Sequence, residues 1–146
     1  MNHKLLLVNG PNLNLLGTRE PQIYGAKSLE EIVDEVREFC WPKGIEVLPF
    51  QSNHEGSLID FIQQQGPGAA FGIVNAGALT HTSIALRDAL KGVGLKFIEV
   101  HISNVHAREE FRHQSYLSEI AAGLIVGLGT GGYLLAARHW AQQLEA

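Results

Sequence analysis

Glu99 and His101 stand two apart at the end of an apolar run over 96–101, in the order Phe-Ile-Glu-Val-His. Residues i and i+2 of a strand share a face, so the carboxylate can orient the imidazole and favour its charged form. An imidazole held in this way suits a general acid working near neutral pH. A structural histidine bonded to its own loop would carry the same spacing. Further groups lie close by in the chain. The segment HAREEFRHQSY (106–116) holds His106, Arg108, Arg112 and His113. Its histidines together with His101 could suggest a metal site, but two arginines repel a cation and no ligand spacing such as HExxH occurs. Guanidinium forks suit a carboxylate or phosphate, so an anion site is the sharper reading and a solvated basic face the plainer one.

His81 lies between Thr80 and Thr82 where a helix is expected to begin, a place that attracts anions and hydroxyl-rich ligands. Simple capping with an exposed His81 is the competing reading. Asp88 follows within that helix, beside Arg87, and by itself reads as an exposed charge. Arg19 and Tyr24 belong to the long irregular stretch NGPNLNLLGTREPQIYG (9–25). A free tyrosine ionises near pH ~10, too high for a good base near neutrality. A guanidinium beside the ring oxygen would favour phenolate, and a loop could close the pair over a ligand. Tyr24 as an apolar plug is the alternative. GLGTGGY (127–133) imitates a dinucleotide loop, but it occupies the last strand-to-helix turn and no following strand carries an acidic residue. Close backbone packing explains it better.

The elements that must position these groups alternate along the chain. Strand-like runs cover 4–9, 45–50, 70–75, 96–101 and 123–127, and four are almost continuously apolar, as parallel strands covered on both faces should be. Pro49 removes a ladder donor from the second run and places it at an edge. Ser28 and Glu31 form a capping box before Leu29, Ile32, Val33, Val36, Phe39 and Cys40, which share one helical face. Cys40 therefore reads as core packing. Helices over 57–65, 82–93 and 131–144 complete the alternation, with Trp41 and Trp140 packing at helix ends. One three-layer α/β domain spanning 1–146 is expected, a flavodoxin-like fold with a five-stranded parallel sheet in the order 2-1-3-4-5. In such sheets ligands collect beyond the carboxyl ends of the strands. Asn9-Gly10-Pro11-Asn12, Asn75-Ala76-Gly77 with Thr80-His81-Thr82, and Glu99 to Asn104 all fall there, so three loops should line one crevice.

Composition narrows the function classes. The chain has 146 residues, 45% of them apolar, enough for a substantial core. Its net charge of −4 offers no basic footprint for nucleic acid. No run approaches the ~18 apolar residues of a membrane span. The first strand begins without the layout of a signal peptide, and Cys40 is the single cysteine, so a reducing cytoplasm is the expected location. Seven histidines are a surplus for this length and point to chemistry.

Four stretches, NGPNLNLLGTREPQIYG, FQSNHEG, NAGALTHTSIALRDAL and EVHISNVHAREEFRHQSYLS, resemble the type II 3-dehydroquinate dehydratases of the shikimate and quinate pathways. The resemblance covers essentially the whole chain in the right order. It implies a flavodoxin-like enzyme, without metal or organic cofactor, that removes water from 3-dehydroquinate by anti elimination through an enolate. Carried over, Tyr24 is the base, Arg19 holds it as phenolate, and His101 with Glu99 protonates the departing hydroxyl. Asn12 positions a water or donor at the enolate oxygen. Asn75, His81 and Arg112 hold the substrate's hydroxyls, and the backbone at Ile102-Ser103 takes its carboxylate. The Asp88 equivalent reaches into a neighbouring subunit's site, which overturns the plain reading of that residue. A dodecamer built as a tetramer of trimers is implied.

Two positions depart from the family pattern. Proline is usual where Ala76 stands and an aromatic is common where Leu79 stands. Ala76 frees a φ that proline would fix, without removing a catalytic group. Lysines begin strands or sit near helix ends, away from the carboxyl edge of the sheet, which argues against an imine mechanism. Two rival classes share the crevice: a non-catalytic binding module for a carboxylated or phosphorylated small molecule, and a flavin or nucleotide redox domain. Within the opening stretch, 9–12 is expected to form a rigid floor, and 17–25 a hinged lid carrying Arg19 and Tyr24.

Overall fold

The computed structural model describes residues 3–18, 20, 22 and 25–145. Five parallel strands form one sheet: β1 (His3–Asn9), β2 (Ile45–Gln51), β3 (Phe71–Asn75), β4 (Phe97–His101) and β5 (Gly123–Val126). Their order is β2-β1-β3-β4-β5, the flavodoxin-like order expected. Pro49 lies in β2, at the edge, where its missing N–H leaves no gap in a central ladder. Four α-helices flank the sheet among the described residues: α1 (Leu29–Cys40), α2 (Glu55–Gln65), α3 (Ile84–Gly92) and α4 (Gly131–Glu145).

Alternation along the central strands builds two cores. Leu5, Leu7, Ile73, Ile98 and Val100 face α1 and α4, where they pack with Ile32, Val36, Cys40, Ala136 and Ala137. Leu6, Val8, Val74 and Phe97 face α2 and α3, packing with Leu58, Ile62, Leu86 and Leu90. A strand buried on both faces needs an apolar residue at every position, which is why these runs read as continuous. Cys40 is fully buried, and burial pushes its thiol up to about 11 against the smaller opposing pull of Lys43. Trp140 stacks on Phe71 with ring centroids 4.5 Å apart and donates its indole N–H to the Gly72 carbonyl. Trp41, by contrast, ends α1 with 67% of its surface exposed, so its packing is on the outside of the fold. Among the described residues no helix is long and apolar enough to cross a membrane.

The Ser28–Glu31 capping box forms as expected: the Ser28 hydroxyl accepts the Glu31 N–H and the Glu31 carboxylate accepts the Ser28 N–H. Two helix starts differ from expectation. α2 begins two residues early, at Glu55, where the Ser52 hydroxyl accepts the His54 N–H in the turn before it. α3 begins at Ile84 because Ser83, not Thr82, supplies the cap, its hydroxyl accepting the Leu86 N–H at 2.9 Å. Residues Gly77–His81 form a separate 3₁₀ turn. Thr80 cannot cap α3, since its hydroxyl is engaged by Glu99 beneath the turn.

The carboxyl ends of β1, β2 and β3 are in register, with Asn9 opposite both Gln51 and Asn75. The loops that follow β1 and β3 touch through backbone. A Cβ on Gly10 would lie 2.2 Å from the Ala76 carbonyl oxygen, so only glycine fits there. Gly77, at φ +59°, abuts the Pro11 carbonyl in the same way. Ala76 itself has φ −77°, close to the value proline would impose, so the departure from the family pattern leaves the backbone shape of this loop unchanged. Gly10→Ala should therefore lower stability by about 3 kcal/mol through overpacking. Gly56→Ala, where a Cβ meets open space on α2, should raise it by up to ~1 kcal/mol. Urea unfolding midpoints read both, and a Gly10→Ala protein as stable as the parent would show that the two loops can separate.

Candidate active site

Beyond those strand ends lies a cleft of about 150 Å³. Asn12, Asn75, His81, His101, Ile102, Ser103 and Arg112 all line it, with Pro11, Leu13, Val105 and Arg108 among its other walls. Seven of the residues expected from sequence thus meet in one place. Glu99 lies just beneath, with none of its surface exposed. Asp88 does not join them. It is exposed on α3, beside Ile59 and Gln63 of α2, on a different face of the chain. Arg19 and Tyr24 lie outside the described residues.

The floor is a backbone scaffold. Gly10 donates its N–H to the Asn75 carbonyl at 2.8 Å, and the Gln51 amide donates to the Gly10 carbonyl at 3.2 Å. Asn12 takes a left-handed conformation, φ +70°, one that asparagine tolerates better than most residues. Its N–H is held by the Asn53 side-chain oxygen at 2.9 Å. Asn75 is oriented at both ends of its amide. Its NH₂ donates to the Tyr133 hydroxyl at 2.8 Å and its oxygen accepts the Gly77 N–H at 3.1 Å. Tyr133 in turn donates to the Asn9 side-chain oxygen at 2.6 Å. This phenol is wholly buried, and burial pushes its ionisation far up against the smaller effect of the Asn75 bond, so it stays neutral.

Two histidines face the cleft, each held through one ring nitrogen by a different partner. His81 Nδ1 lies 2.8 Å from the Gln114 carbonyl, which can only accept, so Nδ1 carries the hydrogen. Burial lowers its proton affinity, the Gln114 bond opposes this, and the charges of His101 and Arg112 lower it further; the net direction is down. A neutral His81 presents Nε2 as an acceptor. His101 Nε2 lies 2.5 Å from Glu99 Oε2, the contact expected from the i, i+2 spacing. Its other nitrogen, Nδ1, is then the one available to a ligand, and it carries a proton only when the ring is charged.

The charge that supports such a ring is Glu99. Burial works to raise its pKa, but hydrogen bonds from His101, Ser118 and Ser115 together with the His101 charge outweigh it and hold the carboxyl at about 2. Thr80 Oγ1 and Ser115 Oγ each lie 2.8 Å from Oε2, and Ser118 Oγ lies 2.7 Å from Oε1. The arginines are partly shielded. Arg108 donates to the Ser103 hydroxyl at 3.1 Å, and Arg112 Nε to Glu109 at 3.1 Å. The glycines after β5 support the loop after His101: Gly127 and Gly129 donate their N–H groups to the carbonyls of His101 and Ile102, each at 3.0 Å. Both have positive φ. Among the described residues no group of His, Cys, Asp or Glu is arranged to hold a metal ion.

The sequence did not reveal Tyr133, Ser115 and Ser118 as parts of the site, and it suggested Thr80 as a helix cap rather than a partner of Glu99. Tyr133 left a signal, for it shares the 133, 136, 137, 140 stripe with Ala136, Ala137 and Trp140 and so had to be buried, and a buried phenol needs a partner. The three hydroxyls left none, because their common partner is distant in sequence. Tyr133→Phe keeps the ring and strands the Asn9 and Asn75 amides, and should cost about 1–3 kcal/mol in urea unfolding. Glu99 makes stability depend on acid pH. Its folded pKa lies below the ordinary 4.5, so its contribution is complete above about pH 4.5 and is lost as pH falls toward about 2. The stability advantage of the parent over Glu99→Gln should shrink across that window, and a constant difference would count against the buried charge.

A sequence profile described as dehydroquinase class II matches residues 3–141. A catabolic 3-dehydroquinase 2 of Aspergillus flavus is 57% identical over 96% of this chain and 93% of its own length. A 3-dehydroquinate dehydratase of Alkalilimnicola ehrlichii is 57% identical over 97% of this chain and 94% of its own. The crystal structure of a type II dehydroquinase from Butyrivibrio crossotus superposes with a TM-score of 0.90 at 49% identity, covering 97% of this chain and 98% of that one. The sheet order, the cleft at its carboxyl ends and these likenesses together place the chain in the class II dehydroquinase family.

Proposed function

We propose that this chain is a hydro-lyase that converts 3-dehydroquinate to 3-dehydroshikimate by anti elimination of water through an enolate. The observation that carries the acid half is the buried Glu99–His101 pair opening onto the cleft. Tyr24, as phenolate held by Arg19, takes the proton from the carbon next to the ketone, and the C–H electrons become the enolate. The enolate collapses to the new C=C bond as the hydroxyl leaves, and His101 Nδ1 supplies the proton that turns it into water. Asn12 positions a donor at the enolate oxygen. Neutral His81 accepts from a substrate hydroxyl, Asn75 and Arg112 hold others, and the backbone at Ile102-Ser103 takes the carboxylate. No step requires a metal, an organic cofactor or a lysine imine.

Asp88, exposed away from its own cleft, is proposed to complete the site of a neighbouring copy, in a dodecamer arranged as a tetramer of trimers. Residues 1–146 act as one catalytic domain in the cytoplasm, with 17–25 as the lid. Conjugated-enone absorbance after addition of 3-dehydroquinate should rise with time. Tyr24→Phe should abolish that signal while retaining ligand binding, and His101→Gln should lower turnover about 10²–10⁴-fold. Ligand binding by the parent without any absorbance change would favour a non-catalytic binding module. Undiminished turnover by Tyr24→Phe would remove the proposed base.

A further inference from the structure

Among the described residues four side chains lie within hydrogen-bond distance of the Glu99 carboxylate, and only one of them is His101. We propose that Thr80, Ser115 and Ser118 are positioning residues that set, through Glu99, how readily His101 releases its proton. This rests on the reading of His101 as the acid.

The direction of each hydroxyl follows from proton counting. Ser115 Oγ accepts two backbone N–H groups, from Leu117 at 3.0 Å and Ser118 at 3.2 Å. Both its lone pairs are then occupied, so its own proton must point outward. Thr80 Oγ1 lies 2.9 Å from Ser115 Oγ and cannot donate to it, so the single Thr80 proton goes to Glu99. Whether the Ser115 proton points to Glu99 or Thr80, it reinforces donation to the same carboxylate. Ser118 Oγ satisfies the other oxygen. These donors spread the carboxylate charge. A bare Glu99 would lean on His101 alone and bind the imidazolium more tightly, which makes a poor acid.

The same hydroxyls join two segments. Thr80 precedes His81, and Ser115 follows Gln114, whose carbonyl holds His81. The Tyr116 N–H donates to the Thr80 carbonyl at 2.8 Å, closing the clasp. Other charged or titratable groups around the His101 ring are His81, with ring centroids 6.3 Å apart, and Arg108 and Arg112 along the cleft. The Ser118 hydroxyl touches none of these groups and stands outside the Thr80–Ser115 clasp, so a change that Ser118→Ala makes in the acid's titration is assignable to Glu99.

The test is the pH dependence of kcat/KM for Ser118→Ala and, as a second site, Thr80→Val. One limb of the profile should move to higher pH by about half a unit, a roughly threefold change in the acid's ionisation constant, while the other limb stays. Ser118→Thr and Thr80→Ser, which keep the hydroxyl, should restore the parent profile. Profiles that superimpose on the parent's, with only thermal stability lowered, would overturn the proposal and leave the hydroxyls a structural role. His101→Gln separates the two failures: if it retains full turnover, the acid assignment itself is wrong, whatever the hydroxyl variants do.

Discussion

An ionised carboxylate with no exposed surface is tolerated only when its oxygens meet donors, because an isolated buried charge costs several kcal/mol. Glu99 meets that condition with three hydroxyls and an imidazole drawn from three parts of the chain. β4 supplies Glu99 and His101, the turn after β3 supplies Thr80, and the segment before β5 supplies Ser115 and Ser118. Satisfying one charge therefore fixes three loops relative to one another. The consequence reaches the cleft, since those loops also carry His81, Ile102 and Ser103.

The hydrophobic layers make this possible by holding the strand ends still. β1, β3 and β4 are covered on both faces, and their register brings Asn9 and Asn75 side by side. Tyr133 reaches this edge from α4 and ties the two amides together with one hydroxyl. Gly10 and Gly77 let the backbones that follow approach closer than any side chain would allow. Gly127 and Gly129 brace the turn after His101 from the far side of the sheet. The resulting surface presents amide, imidazole and guanidinium groups on backbone that is itself hydrogen-bonded, which limits the reorganisation needed when a ligand arrives.

Local patterns were legible where the physics is local. Continuous apolar runs of Val, Ile and Leu marked the parallel strands, Pro49 marked the edge, and the Ser28–Glu31 box marked a helix start. The Glu99–His101 contact could be read from strand geometry because both partners lie on one strand. The start of α3 was shifted because serine and threonine hydroxyls compete for partners, and the winner is decided in three dimensions: Thr80 is committed to Glu99, so Ser83 caps α3. Tyr133 binds Asn9 across 124 residues, and no spacing rule connects such positions. Asp88, read alone, is an exposed helix charge, and within one chain that is what it is; the role proposed for it depends on a second copy, which no pattern in a single chain can display.

Acid and base are built on unlike foundations in the proposed reaction. His101 stands at the end of a central strand, and its partner, its partner's partners and the following turn are all held by the sheet or its loops. Tyr24 and Arg19 belong to 17–25, a stretch whose bounding glycines both take positive φ and which carries no described strand. Anti elimination requires the two groups on opposite faces of the substrate, and both cannot be prebuilt around a closed space that the substrate must still enter. Fixing the acid in the sheet and assigning the base to 17–25, as proposed, resolves that conflict. On that proposal the sheet-held half defines where the leaving hydroxyl must lie, and the base is brought to it from a different part of the chain.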